Sequence, residues 1–391
     1  MKKKVLIVMP CDLPVPSVKG GAVSTLVESL MRQNELLKCL DLWVFTNCCS
    51  TSIAAEKDYH QTNFIHLGEH PILTIIDRLF FRKKGYLKKI SIIRQVQSVL
   101  KKRNFDAVVL QNSGFLLNVL SNKKIVDRYK GRVFYHLHND VPNSAAVDYL
   151  YRSRLLLISN YLKKKLVERC GTAIKQNCLI LKNGIDVERF RQSLTMSERD
   201  SLRKKYGVDG KRVLIFVGRI DPMKGIAELL GAVEKLNDDY TLLIVGSTNF
   251  GQKDKSNFER TVEVKCLEMG KKVVFTGFVH NKELWKLYKI ADVAVLPSIW
   301  EEPAGLTMLE ASVSGIPLIT TRVGGIPEYI NEKSVLFVEN DSCLVDNLYN
   351  AILKVCEDLE QWSKLAKNNQ SYYSDNYNEL KYYQDFIGFL G

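Results

Sequence analysis

Val293-Ala294-Val295-Leu296-Pro297-Ser298-Ile299-Trp300-Glu301-Glu302-Pro303-Ala304-Gly305-Leu306-Thr307-Met308-Leu309-Glu310-Ala311 reads as strand, loop and helix in immediate succession. Residues 293–296 are apolar, rich in valine and stopped by Pro297, the pattern of a short buried strand. Residues 297–304 make the crossing loop, and a helix is expected from Gly305 to Ser314. A strand feeding a helix is half of a βαβ unit, and the same alternation extends in both directions. Further strands are expected at 213–217, 240–245, 272–276, 317–320 and 335–338, with helices at 226–236 and 282–290. From 345 to the end the pattern is mostly helical, with Tyr372, Tyr373, Tyr377, Tyr382 and Tyr383 interspersed.

The first half repeats the theme. Strands are expected at 4–9, 42–46, 64–67, 107–111, 132–136 and 155–158, with helices at 21–37, 86–102 and 161–169 between them. Ser159 is the expected N-cap of the last of these. The tight Asn183-Gly184 turn tolerates positive φ and marks the hinge. A chain of 391 residues exceeds one typical core. Two doubly wound α/β domains follow, with ligands expected at the carboxyl ends of the strands.

Composition narrows the class. Apolar residues at 46% and charged residues at 25% are globular averages, so wholesale disorder is not expected. The nine cysteines contain no Cys-x-x-Cys pair, which argues against a zinc ribbon or thioredoxin-type site and for reduced thiols in a cytosolic setting. Met1-Lys2-Lys3-Lys4 and the apolar residues after it imitate a signal peptide, but Pro10-Cys11-Asp12 ends the run early, so a first strand is expected. No apolar run approaches the roughly 18 residues of a spanning helix. Charge is uneven: residues 1–184 carry 30 Lys and Arg against 13 Asp and Glu, a net of +17, while residues 185–391 net −4, within a chain total of +13.

Two segments carry chemistry. At the start of the helix at Gly305, the amides of Gly305, Leu306 and Thr307 are unpaired and face the positive end of the helix dipole, a site suited to a diphosphate. Glu302 precedes that helix and Glu310 lies in its second turn, so the two carboxylates bracket the anion and can accept bonds from sugar hydroxyls. The plainer alternative is ordinary helix capping, with Glu310 exposed. The second segment, Phe216-Val217-Gly218-Arg219-Ile220-Asp221-Pro222-Met223-Lys224-Gly225, delivers Arg219 and Lys224 onto the loop before a helix. Two such cations can neutralise a departing β-phosphate, with Gly218 giving the ligand room. Here the alternative is a basic turn making surface ion pairs.

These segments, in this order and about 80 residues apart, resemble the retaining glycosyltransferases of family 4. Other segments extend the likeness over nearly the whole chain. Gly20-Gly21-Ala22 is similar to the family's glycine loop, Tyr135-His136-Leu137-His138-Asn139-Asp140 to its strand-end histidine motif, and Val274-Phe275-Thr276-Gly277-Phe278-Val279 to its base-reading segment. Glu302 and Glu310 match the Glu-x7-Glu signature; Ala304 departs from it, standing where the family usually has Phe. Leu13-Pro14-Val15-Pro16 resembles bacterial members that build surface or spore-coat polysaccharide.

The resemblance implies a GT-B fold: two facing Rossmann-like domains, an acceptor domain at 1–183 and a donor domain at 184–370, with a helical segment at 371–391 packing back on the first. It implies that Arg219 and Lys224 stabilise the leaving phosphate, Glu310 holds the ribose, and Glu302 and His138 orient the sugar. Gly20, Gly21, Gly218, Val279, Gly305, Leu306 and Thr307 would contact the donor. His136 is a rival to His138, which strand alternation puts at the carboxyl edge. The donor is expected to be a UDP-sugar and no other cofactor is expected. The absence of Asp-x-Asp argues against a metal-held diphosphate.

Residues 78–103 remain. Arg78, Arg82, Lys83, Lys84, Lys88, Lys89, Arg94, Lys101, Lys102 and Arg103 are interleaved with Phe80, Phe81, Tyr86, Leu87, Ile90, Ile93, Val96 and Leu100, with no acidic residue among them. A basic amphipathic helix suits an anionic membrane surface, and with it an undecaprenyl-diphosphate-linked acceptor at the inner face of the plasma membrane. The alternative is a domain helix with a solvated basic face. Two rival functions suit the same pattern: a nucleotide-sugar epimerase, opposed by the paired glutamates, and a nucleic-acid-binding protein, opposed by the lack of any nucleic-acid motif.

Overall fold

The computed structural model describes residues 2–68, 85–139, 147–248 and 255–391. Two parallel sheets organise them. The first is ordered β3-β2-β1-β4-β5-β6-β7, from β1 (Lys3–Val8), β2 (Leu40–Thr46), β3 (Thr62–His66), β4 (Ala107–Gln111), β5 (Val133–Leu137), β6 (Arg154–Leu157) and β7 (Cys178–Ile180). The second is ordered β10-β9-β8-β11-β12-β13, from β8 (Arg212–Val217), β9 (Tyr240–Val245), β10 (Val273–Gly277), β11 (Val293–Leu296), β12 (Leu318–Thr321) and β13 (Val335–Val338). Both are the expected doubly wound sheets.

Their central strands are apolar throughout because helices cover both faces. Val5, Leu6, Ile7 and Val8 of β1 are fully buried, as are Val293, Ala294 and Val295 of β11. In each sheet the strand order reverses beside the first strand, between β1 and β4 and between β8 and β11. There the loops leave in opposite directions and open a crevice at the carboxyl ends. Both pairs of loops singled out in the sequence leave these ends.

The chain divides into two compact units, Met1–Gly184 with Tyr382–Gly391, and Ile185–Lys381. The last helix, Glu379–Leu390, carries the chain back into the first unit. Its Tyr383 hydroxyl donates to Asn34 Oδ1 at 2.6 Å, and Lys3 Nζ donates to the Leu390 carbonyl at 3.2 Å. Helices and strands otherwise fall within a few residues of expectation, Ser159 capping its helix through a bond from the Leu162 amide. Elements not foreseen include β7 and the helices Ser50–Glu56, Val187–Arg191, Met196–Lys205 and Asn257–Glu268. The first is only three residues long, and the helices are too polar for their few buried residues to show a period.

The basic helix forms at Tyr86–Lys102. Ile92, Val96 and Leu100 are buried in the domain, so its apolar stripe is already used, although Tyr86 remains exposed. Lys88 Nζ donates to the Cys11 carbonyl at 3.0 Å, and Lys89 Nζ lies 5.7 Å from the Phe115 ring centre. The expectations for Arg78, Phe80, Phe81, Arg82, Lys83, Lys84 and Asp140 lie outside the described residues.

Candidate functional site

In the second unit, the loops after β8 and β11 are sewn together by backbone. Asp221 Oδ1 accepts from the Met223 amide at 2.9 Å and caps a short 3-10 turn, Pro222–Lys224. The Met223 carbonyl then accepts from the amides of Ile299 at 3.0 Å and Trp300 at 3.1 Å, and from Ser298 Oγ at 3.3 Å. Gly225 follows with φ +70°, and a Cβ there would lie 1.9 Å from the Pro297 carbonyl oxygen. Only glycine lets the two loops meet so closely. From the other side, the Gly325 amide donates to the Glu302 carbonyl at 2.6 Å.

This clamp brings together residues 78 positions apart. Lys224 Nζ is 2.6 Å from Glu302 Oε1, and both side chains are largely shielded from water. A charge-assisted bond of that length is among the stronger polar contacts a protein makes. The sequence reading gave Lys224 to the phosphate and Glu302 to a sugar; in this structure they hold one another. Arg219, by contrast, is half exposed and reaches Asp221 Oδ2 only at 3.7 Å. Such a pair holds it weakly.

At Gly218 an added Cβ would make only ordinary contact with the Phe216 ring at 3.6 Å, so the backbone there does not demand glycine. The strict glycine requirement lies elsewhere, at Gly246 after β9. Its φ is +147°, and a Cβ would lie 1.8 Å from the Gly218 carbonyl oxygen. The Gly246 amide also donates to the Gly277 carbonyl at 2.9 Å, which ties in the end of β10. Val279, two residues on, is half-buried against the core.

The helix Leu306–Ser314 begins beside the clamp, and no side chain caps it. Gly305 is buried at its N-cap. The Thr307 carbonyl accepts from the Tyr288 hydroxyl at 3.2 Å, and the same hydroxyl lies 3.3 Å from Glu310 Oε2. Burial pushes the Glu310 carboxyl up to about 8, with the Tyr288 bond and the Arg189 charge pulling it back. Glu310 is thus half-buried and hydrogen-bonded, not the exposed capping carboxylate of the plainer alternative.

In the first unit, Gly20 and Gly21 have φ of +76° and +99° and lead into the helix Ala22–Leu37, which also lacks a side-chain cap. A Cβ on Gly21 would meet Leu13 Cδ1 at 2.4 Å. His138 follows β5 at the carboxyl edge, its amide donating to Asn112 Oδ1 at 2.7 Å and its Nε2 lying 3.2 Å from Gln111 Oε1. Burial lowers its pKa to about 3. His136 lies wholly inside β5, its ring 3.9 Å from that of His138. Burial, then the neighbouring His138, keep it neutral as well.

Sequence reasoning missed Tyr288, Gly246, Gly324, Gly325, Gln111 and Asn112. Gly246 and the Gly324-Gly325 pair each follow a strand, and that placement was the available signal. Among the described residues, no three His, Cys, Asp or Glu side chains are grouped to hold a metal ion, and no helix is long and apolar enough to cross a membrane.

Residues 198–372, which contain the clamp, the uncapped helix and Glu310, match the family model described as glycosyl transferases group 1. Over its length the chain is 24% identical to spore coat protein SA of Bacillus subtilis, covering 95% of this chain and 100% of that one. It is 25% identical to the lipopolysaccharide 1,2-N-acetylglucosaminetransferase of Salmonella typhimurium, over 59% of each chain. The fold is shared with Anabaena Alr3699/HepE, solved in complex with UDP-glucose, at a TM-score of 0.77, 19% identity and 99% coverage of both chains.

Proposed function

We propose that this chain is a retaining, metal-independent glycosyltransferase that uses a nucleotide sugar, expected to be UDP-linked. The acceptor we propose is a glycan or an undecaprenyl-diphosphate-linked oligosaccharide of bacterial cell-surface polysaccharide synthesis. The observation that carries this is the Lys224–Glu302 pair beside the uncapped helix Leu306–Ser314, at the strand-order reversal of a group 1 domain. A largely shielded cation beside a helix start that no side chain caps suits a diphosphate. The relatives named for lipopolysaccharide and spore coat support the acceptor class, and the UDP-glucose complex supports the donor class.

In this reading unit 2 holds the donor and unit 1 the acceptor. The diphosphate rests on the amides of Gly305, Leu306 and Thr307, and Gly20 and Gly21 are further donor-binding residues. Lys224 gives up its carboxylate partner for the phosphate, which releases Glu302 to a sugar hydroxyl. Arg219, loosely held, joins Lys224 on the β-phosphate as charge develops there. Glu310 takes the ribose, Gly218 leaves room for the donor, Val279 lies along the base, and His138 contacts the sugar. The acceptor oxygen attacks the anomeric carbon on the face the phosphate leaves; the new C–O bond forms as the old one breaks, and the departing phosphate oxygen takes the acceptor proton. The enzyme works in the cytoplasm at the inner membrane face, drawn there by the basic residues of 78–103. Epimerase and nucleic-acid readings gain no support from the matched domain.

A thermal-shift screen of nucleotide sugars followed by transfer assays in excess EDTA tests this. A donor at 100 times its Kd should stabilise the fold by about 2.7 kcal/mol, and turnover should persist in EDTA. Turnover that disappears in EDTA and returns with Mg²⁺ would refute the metal-independent mechanism, and no response to any nucleotide sugar would refute the assignment.

A further inference from the structure

Gln111 and His136 are cross-strand partners in adjacent β4 and β5, and both are fully buried. His138, two residues beyond His136, projects from the same face and is 6% exposed. Three polar side chains are therefore stacked at the carboxyl edge of the first sheet. Within the stack one hydrogen bond is made, between Gln111 Oε1 and His138 Nε2 at 3.2 Å. Gln111 Nε2 and both ring nitrogens of His136 have no partner among the described residues. Buried polar atoms are usually satisfied, so Gln111 spends the one side-chain hydrogen bond it makes among the described residues, at some cost, on His138. Asn112, next in the chain, holds the amides of His138 at 2.7 Å and Asn139 at 3.0 Å through its Oδ1. Backbone and ring of His138 are thus fixed by two consecutive residues of β4 and its exit.

A neutral imidazole has one N–H and one lone pair, and the group opposite one nitrogen decides which is which. A carboxamide oxygen only accepts. We infer that Gln111 is a positioning residue: its side-chain oxygen holds His138 as the Nε2–H tautomer and leaves the Nδ1 lone pair as the hydrogen-bond acceptor the site presents. The chemistry this recognises is a hydroxyl donor, as on a sugar. That last step rests on the glycosyltransferase reading; the tautomer does not. His136 has no such partner among the described residues, and its ring packs against that of His138.

The test is ¹⁵N-histidine NMR of the full chain, with the His138 signals assigned by their loss in His138→Gln. Wild type should show His138 protonated at Nε2 alone. Gln111→Met, similar in shape but without a strong acceptor, should move the proton to Nδ1 or leave a mixture, while Gln111→Glu, which keeps an accepting oxygen, should retain the Nε2 proton. Equal melting temperatures confirm that the variants fold. With a donor in hand, Gln111→Met should lower kcat by on the order of ten- to a hundredfold, as misorientation does, with donor KM little changed. An Nδ1–H His138 in wild type, or a tautomer indifferent to Gln111→Met, would overturn the inference. If the tautomer behaves as stated but no sugar is transferred, the functional reading fails and the positioning role stands.

Discussion

The two units are built on one plan and loaded differently. Each has a parallel sheet whose strand order reverses beside its first strand, and each sends its noted glycines and polar residues out at the carboxyl edge. In the second unit that edge is ionic: Lys224 and Glu302 pair at 2.6 Å within loops locked by Gly225 and Met223. In the first unit it is neutral: His136 and His138 are uncharged by burial, and Gln111 Nε2 and the His136 ring nitrogens have no partner among the described residues. The same geometry therefore presents an ionic edge in one unit and a neutral one in the other. What differs is whether charged or neutral side chains were put at the strand ends.

Breaking the ionic edge should have the largest effect. Lys224→Met and Glu302→Leu should each cost on the order of 10²-fold or more in turnover, as for lost transition-state contacts. Each single change strands a shielded charge, so the double variant should be more stable than either single one while equally inactive. Denaturant midpoints and initial rates of the three proteins settle it; a fully active single variant would remove the pair from the mechanism.

Backbone lock comes next. Gly225→Ala places a Cβ against the Pro297 carbonyl at positive φ, whereas Gly21→Ala meets only the flexible end of Leu13. Strained left-handed residues cost on the order of 1–3 kcal/mol. Gly225→Ala should lose at least that, and Gly21→Ala less, by urea unfolding. Equal losses would mean that the second unit's loops are no more tightly locked than the first unit's.

A third comparison uses pH. The Glu310 carboxyl titrates at about 8 in the fold against an ordinary 4.5. A raised carboxyl pKa favours the folded state below about 4.5 and loses that contribution as pH rises through about 8. Glu310→Gln should therefore flatten the fall in melting temperature between those limits and leave the protein relatively more stable at pH 9. His138→Gln in the first unit should act in the opposite sense and only below about 6.5, making the fall steeper there, because His138 stays neutral in the fold down to about 3 while the unfolded imidazole takes up a proton near 6.5.

The smallest effect should come from surface charge. Residues 1–184 net +17 and residues 185–391 net −4, so any attraction to anionic vesicles belongs to the first half. Lys83, Lys84 and Lys89 changed together to Gln should weaken binding to phosphatidylglycerol vesicles by about 1 kcal/mol each at most. Donor-induced stabilisation should not change. Co-sedimentation that is indifferent to salt and to these changes would leave the helix Tyr86–Lys102 as a domain element, a role its buried Ile92, Val96 and Leu100 already fill.

The sequence by itself determined both doubly wound sheets, because valine- and isoleucine-rich runs between helical stretches can only be buried as parallel strands. It also placed Arg219, Lys224, Glu302 and Gly305 where strands end and helices begin, as the structure has them. Short or polar elements, such as β7 and the helix Met196–Lys205, escaped because they carry too few apolar residues to show a period. Tertiary structure alone decided who meets whom. That Lys224 finds Glu302, Tyr288 finds Glu310, and Gln111 finds His138 depends on which strands lie side by side. Local pattern carries no record of that adjacency, because the contacts join residues 22 to 78 positions apart.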